Sequence, residues 1–233
     1  MDNQQIQQRL IDSGRILEAN GLADMTQGHV SVRMPSDPNK FYMKPHSWGF
    51  SEITLENMVI CDLEGEKIGG GGRRHSEVYI HSEIYKVRPD VQSVIHCHPV
   101  HAVAFSSTGK KLLPISQPSC KFYGDHLPVY TDTIELIRNQ EKGAGVAKVL
   151  GQNKAALMLN HGVVVVGGSV EESTMLALAL EEACRIQLLA EAGGGVGELF
   201  DNATIERLYK TLQPTEMYAI NFDYLLRKLA KGQ

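Results

Sequence analysis

The chain has 233 residues, of which 42% are hydrophobic, so it can bury a full core without disulfides, and we predict a single domain over residues 1–233. Its formal charge is -4 at pH 7, from 23 basic and 27 acidic residues interspersed along the chain, which argues against a nucleic-acid-binding protein or a polybasic membrane anchor. The polar N-terminus, the lack of an apolar run near the ~20 residues that cross a bilayer, and four widely spaced cysteines predict a soluble cytoplasmic protein.

The first third of the chain has the pattern of a helix followed by strands. Apolar residues at roughly helical spacing predict an amphipathic helix over residues 6–17, which ends at Asn20-Gly21. Short extended runs broken by prolines predict strands and turns over residues 28–62. The glycine run 69–72 then leads into a helix predicted from about His75 until just before Pro89.

Strands and helices alternate in the rest of the chain. Residues 91–98 predict a strand, and residues 99–105 a short helix. Residues 156–166 predict a second apolar strand, interrupted by Asn160-His161-Gly162. Ser169 and Glu172 have capping-box spacing and predict a long helix to about residue 191. Because several strands are joined by tight turns, we expect an α/β layered domain with a mixed or antiparallel sheet.

The strongest chemical signal is a pair of histidines on one strand. Alternate strand residues project to one side, so His96 and His98 can place two imidazoles on one metal ion. His161, a polar residue within an apolar strand, is the best candidate for a third ligand. The alternative is that all three are ordinary histidines held by hydrogen bonds.

Four motifs together carry a resemblance to a known family. The segments Gly28-His29-Val30-Ser31-Val32-Arg33, Ser76-Glu77, His96-Cys97-His98-Pro99-Val100-His101 and Asn160-His161-Gly162 resemble the class II aldolase/adducin family in order and spacing. The resemblance implies a three-layer α/β fold with a central, largely antiparallel sheet flanked by helices. It also implies that His96, His98 and His161 bind the metal, that Glu77 is catalytic, and that the protein is a homotetramer with active sites at subunit interfaces.

Several neighbouring residues remain open from the sequence. Taken alone, Glu77 could be a solvated helix residue, whereas the resemblance implies a displaceable ligand or a general acid/base. His81, four residues later on the same helix face, could orient Glu77. If Glu77 is not the acid, Tyr123 or His126 is next in line. His101 is a weaker ligand candidate, since it lies beyond Pro99.

The pocket residues favour a decarboxylase over an aldolase. Sugar-phosphate aldolases of the family hold phosphate with small polar groups, whereas here His29, Lys44 and His75 occupy those positions. We therefore expect a cationic pocket for a small anionic substrate, and the pattern looks more like the family's decarboxylases of hydroxylated aromatic or heteroaromatic acids. The expected substrate-binding residues are Gly28, His29, Lys44, His75 and Ser76.

Two alternatives to the decarboxylase remain. An aldolase cleaving a sugar phosphate such as a ketose 1-phosphate could bind it through Lys44 and Arg73, and Arg73 with Arg74 could form an anion-binding loop. A non-enzymatic adducin-like interaction module is disfavoured, because such a module has no need for three intact ligands. In either lyase the metal would hold the developing carbanion as an enolate.

We expect one divalent ion per subunit. Zinc suits an all-imidazole site best, and manganese, iron or cobalt would also be accepted. The tetramer would bring the late segment 217–229, which contains Tyr218 and Tyr224, toward a neighbouring active site, although packing within one subunit explains these aromatics equally well.

Overall fold

The centre of the molecule is one eight-stranded sheet. The computed structural model describes residues 1–212 and 215–232. The strands are β1 (His29–Met34), β2 (Asp37–Met43), β3 (Val59–Asp62), β4 (Lys67–Gly70), β5 (Ser93–Cys97), β6 (Val129–Tyr130), β7 (Ala155–Met158) and β8 (Gly162–Gly167). Their order is β4-β3-β2-β1-β5-β8-β7-β6, and every pairing is antiparallel except that of β6 with β7. The predicted largely antiparallel sheet is confirmed.

Helices cover both faces of this sheet. They are α1 (Asn3–Ala19), α2 (Val78–Val87), α3 (Val100–Ser106), α4 (Gln140–Leu150), α5 (Val170–Ala192), α6 (Asn202–Thr211) and α7 (Thr215–Leu229). One hydrophobic cluster joins a sheet face to α1, α3, α5 and α7, and a second joins the opposite face to α2 and α4. The molecule therefore has the three predicted layers, with an apolar core on each side of the sheet.

Local sequence explains where the helices begin. The Asp2 side chain accepts a hydrogen bond from the Gln5 backbone N–H, and Gln5 Oε1 accepts one from the Asp2 backbone N–H, which completes a capping box. Ser169 accepts from the Glu172 backbone N–H, as its spacing predicts. None of the described helices is long and apolar enough to cross a membrane.

Two expectations about the strands are wrong. Residues 156–166 are not one interrupted strand, because β7 and β8 form an antiparallel hairpin in which Met158 pairs with Gly162 and residues 159–161 make the turn. The glycine run does not simply precede a helix, since it overlaps β4, which pairs with β3. The following helix begins at Val78 rather than about His75. The first error arose because two short apolar strands that flank a turn have the composition of one longer strand.

The C-terminal helix packs on its own subunit. Tyr218 and Phe222 are buried in the cluster shared with α1 and α5, so Tyr218 is a core residue. Tyr224 is 54% exposed, and Met217 and Ile220 are nearly as exposed. These three residues lie three to four positions apart and define one outward face of α7, which we call the Met217–Ile220–Tyr224 face.

Candidate metal centre

The two central strands and one hairpin turn bring the three histidines together. His96 lies on β5, His98 follows the end of that strand, and His161 lies in the turn between β7 and β8. Because β8 pairs with β5, with Cys97 opposite Val163, the turn lies beside the two strand histidines. The His96 ring centroid is 4.9 Å from each of the other two, which are 5.3 Å apart. One ring nitrogen from each lies within 4.8 Å of the others.

The Asn160-His161-Gly162 motif shapes this turn. Asn160 has a positive φ of 57°, which asparagine tolerates better than most residues. The end of α3 holds it, because Ser106 Oγ accepts from the Asn160 N–H at 3.1 Å and Ser107 Oγ donates to Asn160 Oδ1 at 2.7 Å. A Cβ at Gly162 would lie 2.5 Å from the Cys97 carbonyl oxygen, so glycine allows the turn to approach β5.

The hydrogen bonds of the triad leave nitrogen lone pairs facing one another. His96 Nδ1 donates to the Val163 carbonyl at 3.0 Å and His98 Nδ1 donates to Asp24 at 3.3 Å, and a ring whose single proton is on Nδ1 has a lone pair on Nε2. These two Nε2 atoms are only 3.1 Å apart. Both ring nitrogens of His161 are buried without a hydrogen-bond partner among the described residues. Converging lone pairs repel unless a cation lies between them, so this donor set fits a divalent metal held by three imidazoles.

Burial also favours the neutral imidazole at His96 and His161, the form that metal coordination requires. It lowers the pKa of His96 well below its ordinary value, with the His98 and His161 rings adding to the effect, and it lowers the pKa of His161 to about 4. Asp24, which holds His98, carries no signal in the local sequence that would have identified it.

Glu77 lies at the edge of the triad. It caps the N-terminus of α2, and its Oε1 accepts from the Ile137 backbone N–H at 2.9 Å. Oε1 is also 3.9 Å from His161 Nε2, and Oε2 is 3.9 Å from His29 Nε2. Burial raises the pKa of Glu77, although the Ile137 N–H opposes the shift. The carboxyl is therefore buried rather than solvated and lies within reach of a ligand bound at the triad.

The predicted pocket residues His29, His75 and Lys44 cluster beside the triad. The His29 ring centroid is 5.0 Å from that of His96 and 4.6 Å from that of His75. Burial lowers the pKa of His29 well below its usual value, and burial followed by the Lys44 charge lowers the pKa of His75 to about 3. The expectation of a cationic pocket is wrong for these two residues, because both imidazoles are neutral at pH 7.

Lys44 is fully buried, so it is not a solvated strand residue. Its ammonium donates to the Thr26 carbonyl at 3.0 Å and lies 3.4 Å from His75 Nε2 and from the Pro45 carbonyl. Burial lowers its pKa to about 8. The Lys44 ammonium is therefore directed at protein acceptors, and a direct contact between Lys44 and a substrate stays a prediction.

Gly28 and Ser76 lie on either side of this cluster. Gly28 has a φ of +68°, and a Cβ there would come within 3.1 Å of the His96 carbonyl oxygen, so glycine lets the chain enter β1 beside β5. Ser76 is exposed and lines a cleft of about 590 Å³ together with Lys67, Arg73 and Arg74. Anion binding by this cleft stays a prediction.

The contacts do not support three roles that the sequence left open as alternatives. His81 does not contact Glu77; its Nε2 is 2.6 Å from His29 Nδ1 and its Nδ1 is 2.6 Å from Ser31 Oγ. His101 is held by Glu181, 2.6 Å away. Tyr123 donates to Glu206 and His126 stacks on Tyr209, so the contacts of both residues lie on α6 rather than at the triad.

Comparisons with known proteins show which family the chain belongs to. The family model described as "Class II Aldolase and Adducin N-terminal domain" matches residues 8–188. The chain is 39% identical over 186 residues to the meiotically up-regulated gene 14 protein of Schizosaccharomyces pombe, covering 79% of this chain and 72% of that protein. It is 36% identical to a Streptomyces roseochromogenus protein named 4-hydroxy-3-prenylphenylpyruvate oxygenase/4-hydroxy-3-prenylbenzoate synthase, covering 76% and 63% of the two chains.

Further relatives span different functions. The Streptomyces niveus protein named Decarboxylase NovR is 35% identical, with 78% of this chain and 66% of that one covered. Human gamma-adducin is 36% identical over 79% of this chain, which spans only 27% of the adducin. The structure of an L-fuculose 1-phosphate aldolase from Glaciozyma antarctica superposes with a TM-score of 0.84 at 30% identity, covering 98% of this chain and 91% of that one. The chain therefore belongs to the class II aldolase and adducin family and has its fold.

Proposed function

We propose that this chain is a cytoplasmic, divalent-metal-dependent carbon–carbon lyase, formed by residues 1–233 as one domain, that decarboxylates a small hydroxylated aromatic or heteroaromatic carboxylic acid. The observation that carries the proposal is the triad, in which the Nε2 atoms of His96 and His98 lie 3.1 Å apart beside a His161 whose ring nitrogens have no hydrogen-bond partner among the described residues. Zinc is the metal that three imidazoles favour, and manganese, iron or cobalt would also be accepted.

Each part of the site has a distinct task in such a reaction. A bound divalent ion supplies a Lewis acid that stabilises the negative charge left when the carbon–carbon bond breaks. His96, His98 and His161 would hold it, and Glu77, whose pKa burial raises, is suited to return a proton to carbon after carbon dioxide leaves. The buried imidazole of His29 lies beside Glu77 and would contact the substrate carboxylate.

The pocket supports an aromatic acid better than a sugar phosphate. The imidazoles of His29 and His75 lie 4.6 Å apart beside the triad, and such rings would pack against a flat substrate. A relative that is named a decarboxylase favours the same reaction. The aldolase alternative is supported by the cleft beside Ser76, which carries Lys67, Arg73 and Arg74, and by the likeness to a fuculose-phosphate aldolase.

The test is a paired substrate screen with Lys44→Met. We expect the metal-loaded wild type to release carbon dioxide from hydroxy-aromatic acids and no aldehyde from ketose 1-phosphates. Lys44→Met removes the charged donor that faces His75, and we expect kcat/KM for decarboxylation to fall roughly tenfold, the usual loss for one charge-assisted hydrogen bond. Lys40→Met is the control and should retain wild-type activity, since Lys40 lies on β2, four residues before Lys44, and pairs with Asp37 at the surface.

Other results would assign the protein to a different branch of the family. Decarboxylation unchanged in Lys44→Met, or rapid cleavage of a ketose 1-phosphate by the wild type without carbon dioxide release from any hydroxy acid, would favour an aldolase. Purified protein without stoichiometric divalent metal, even after incubation with zinc, would favour an adducin-like interaction module.

We also propose that the chain forms a homotetramer, in which the Met217–Ile220–Tyr224 face of α7 contacts a neighbouring subunit. Exposed apolar side chains on one helix face are typical of subunit interfaces. We expect sedimentation velocity to show a tetramer and Ile220→Glu to dissociate it, with Ile134→Glu, at an exposed isoleucine outside α7, as the control. A fully active wild-type monomer would contradict this assembly.

A further inference from the structure

A row of buried polar side chains leads away from the pocket behind His29. His29 Nδ1 is 2.6 Å from His81 Nε2, and His81 Nδ1 is 2.6 Å from Ser31 Oγ. Ser31 Oγ is in turn 2.8 Å from the Tyr85 hydroxyl. All four residues are at most 2% exposed, so water does not replace these contacts. Only His29 Nε2, at the pocket end, has no partner among the described residues.

Each short contact in this row holds one proton, and because the buried Ser31 hydroxyl must donate to a neighbour within the row, the protons can be arranged in two directions. Both imidazoles are at most 1% exposed and lie among other imidazole rings, so each ring is neutral and carries a single proton. If Tyr85 donates to Ser31 and Ser31 to His81, then His81 donates to His29 and the His29 proton lies on Nε2. In the reverse direction His29 Nε2 is a bare lone pair, and the Tyr85 hydroxyl donates outward instead.

The surroundings favour the first direction. Glu77 Oε2 lies 3.9 Å from His29 Nε2, and a carboxylate attracts an N–H but repels a lone pair. In the reverse direction, the Tyr85 hydroxyl would donate to the Gln92 carbonyl at 3.4 Å, which is longer than any contact within the row. Consecutive donors also polarise and strengthen one another when they point the same way.

We infer that Tyr85, Ser31 and His81 are positioning residues that hold the His29 proton on Nε2, so that His29 donates to a substrate carboxylate oxygen and does not bind the metal. This matters because the ligand atoms of His29, Glu77 and His96 also lie within 4.8 Å of one another and could form a second metal set. A His29 ring with its proton on Nε2 cannot coordinate a metal through that atom, so His96, His98 and His161 remain the ligand set. The substrate part of the inference rests on the proposed decarboxylase.

The tautomer of His29 can be determined directly by nitrogen NMR of the 233-residue chain. Long-range proton–nitrogen spectra distinguish protonated from unprotonated ring nitrogens, and His29→Asn identifies the His29 signals by their loss. We expect a protonated His29 Nε2 in the metal-free wild type, and we expect zinc to shift the triad signals while that proton stays. Ser31→Ala and Tyr85→Phe should each raise the population of His29 with its proton on Nδ1.

Ser82→Ala is the matched control. Ser82 lies on α2, as His81 does, and its hydroxyl is equally buried but has no hydrogen-bond partner among the described residues. This variant should keep the wild-type tautomer. In assays with the hydroxy acid that the wild type decarboxylates, Ser31→Ala should raise KM roughly tenfold with a smaller change in kcat and unchanged zinc content. Ser82→Ala should leave KM, kcat and zinc content unchanged.

The outcomes separate this inference from the proposed function. An unprotonated His29 Nε2 in the metal-free wild type, or its deprotonation when zinc is added, would overturn the inference whatever the enzyme does. A protonated Nε2 that depends on Ser31 and Tyr85, in a protein that decarboxylates no hydroxy acid, would support the tautomer and reject the proposed substrate.

Discussion

Replacing His161 with alanine is expected to remove most of the bound metal and to lower turnover by roughly 10³-fold, since the Lewis acid contributes several kcal/mol to the reaction. With His161 gone, His96 and His98 offer two ligands where a catalytic site needs three. The fold should survive, because neither ring nitrogen of His161 is bonded to another described residue. Elemental analysis of the gel-filtered protein, with an activity assay, measures both effects.

His101→Ala is the control for this experiment. His101 lies close in sequence to the triad but is bonded to Glu181, so its loss should leave the metal content unchanged. Full metal occupancy in His161→Ala would show that the triad assignment is wrong. The alternative set of His29, Glu77 and His96 would then be the first to examine.

Glu77→Gln is expected to keep the fold and most of the metal while lowering turnover by about 10²-fold or more, as is typical when a general acid or base is lost. The amide oxygen can still accept from the Ile137 N–H, so the side chain keeps its position. It cannot exchange a proton with the substrate. Steady-state kinetics of the metal-loaded variant at saturating substrate measure this loss.

Glu83→Gln provides a comparison for Glu77. Glu83 is equally buried on α2, but its carboxylate binds Lys86 outside the pocket, so this variant should turn over normally. Wild-type turnover in Glu77→Gln would assign the proton transfer to another group. His29 would replace Tyr123 and His126 as the next candidate, because it faces Glu77 whereas the other two contact α6.

The strand histidines could be predicted because a period of two is visible in the sequence. His96 and His98 project to one side of β5 whatever the rest of the chain does. The turn at His161 was harder to recognise, since β7 and β8 are both apolar and together have the pattern of one strand. Asn160 and Gly162, flanking the histidine, were the signal for a turn.

Contacts between residues distant in sequence could not be predicted. Asp24 supports His98 across the fold, and the Ile137 N–H holds Glu77 from a loop that has no recognisable motif. The helical spacing of Glu77 and His81 suggested contact between them, but β1 lies closer to His81 and bonds it instead. The pocket charge was mispredicted at His29 and His75 because protonation depends on burial, which the sequence does not reveal.

The placement of the site in the middle of the sheet has a consequence for how the protein acquires its metal. His96 and His98 lie on β5 and at its end, whereas His161 lies in the turn that enters β8, and these two strands are neighbours only after long-range pairing. The ion therefore cannot nucleate folding as it does in a zinc finger, and the apoprotein has to complete its central strands first. Metal binding then adds stability to a chain that is already folded. Metal shortage would leave an inactive apoprotein pool that regains function on loading, without resynthesis.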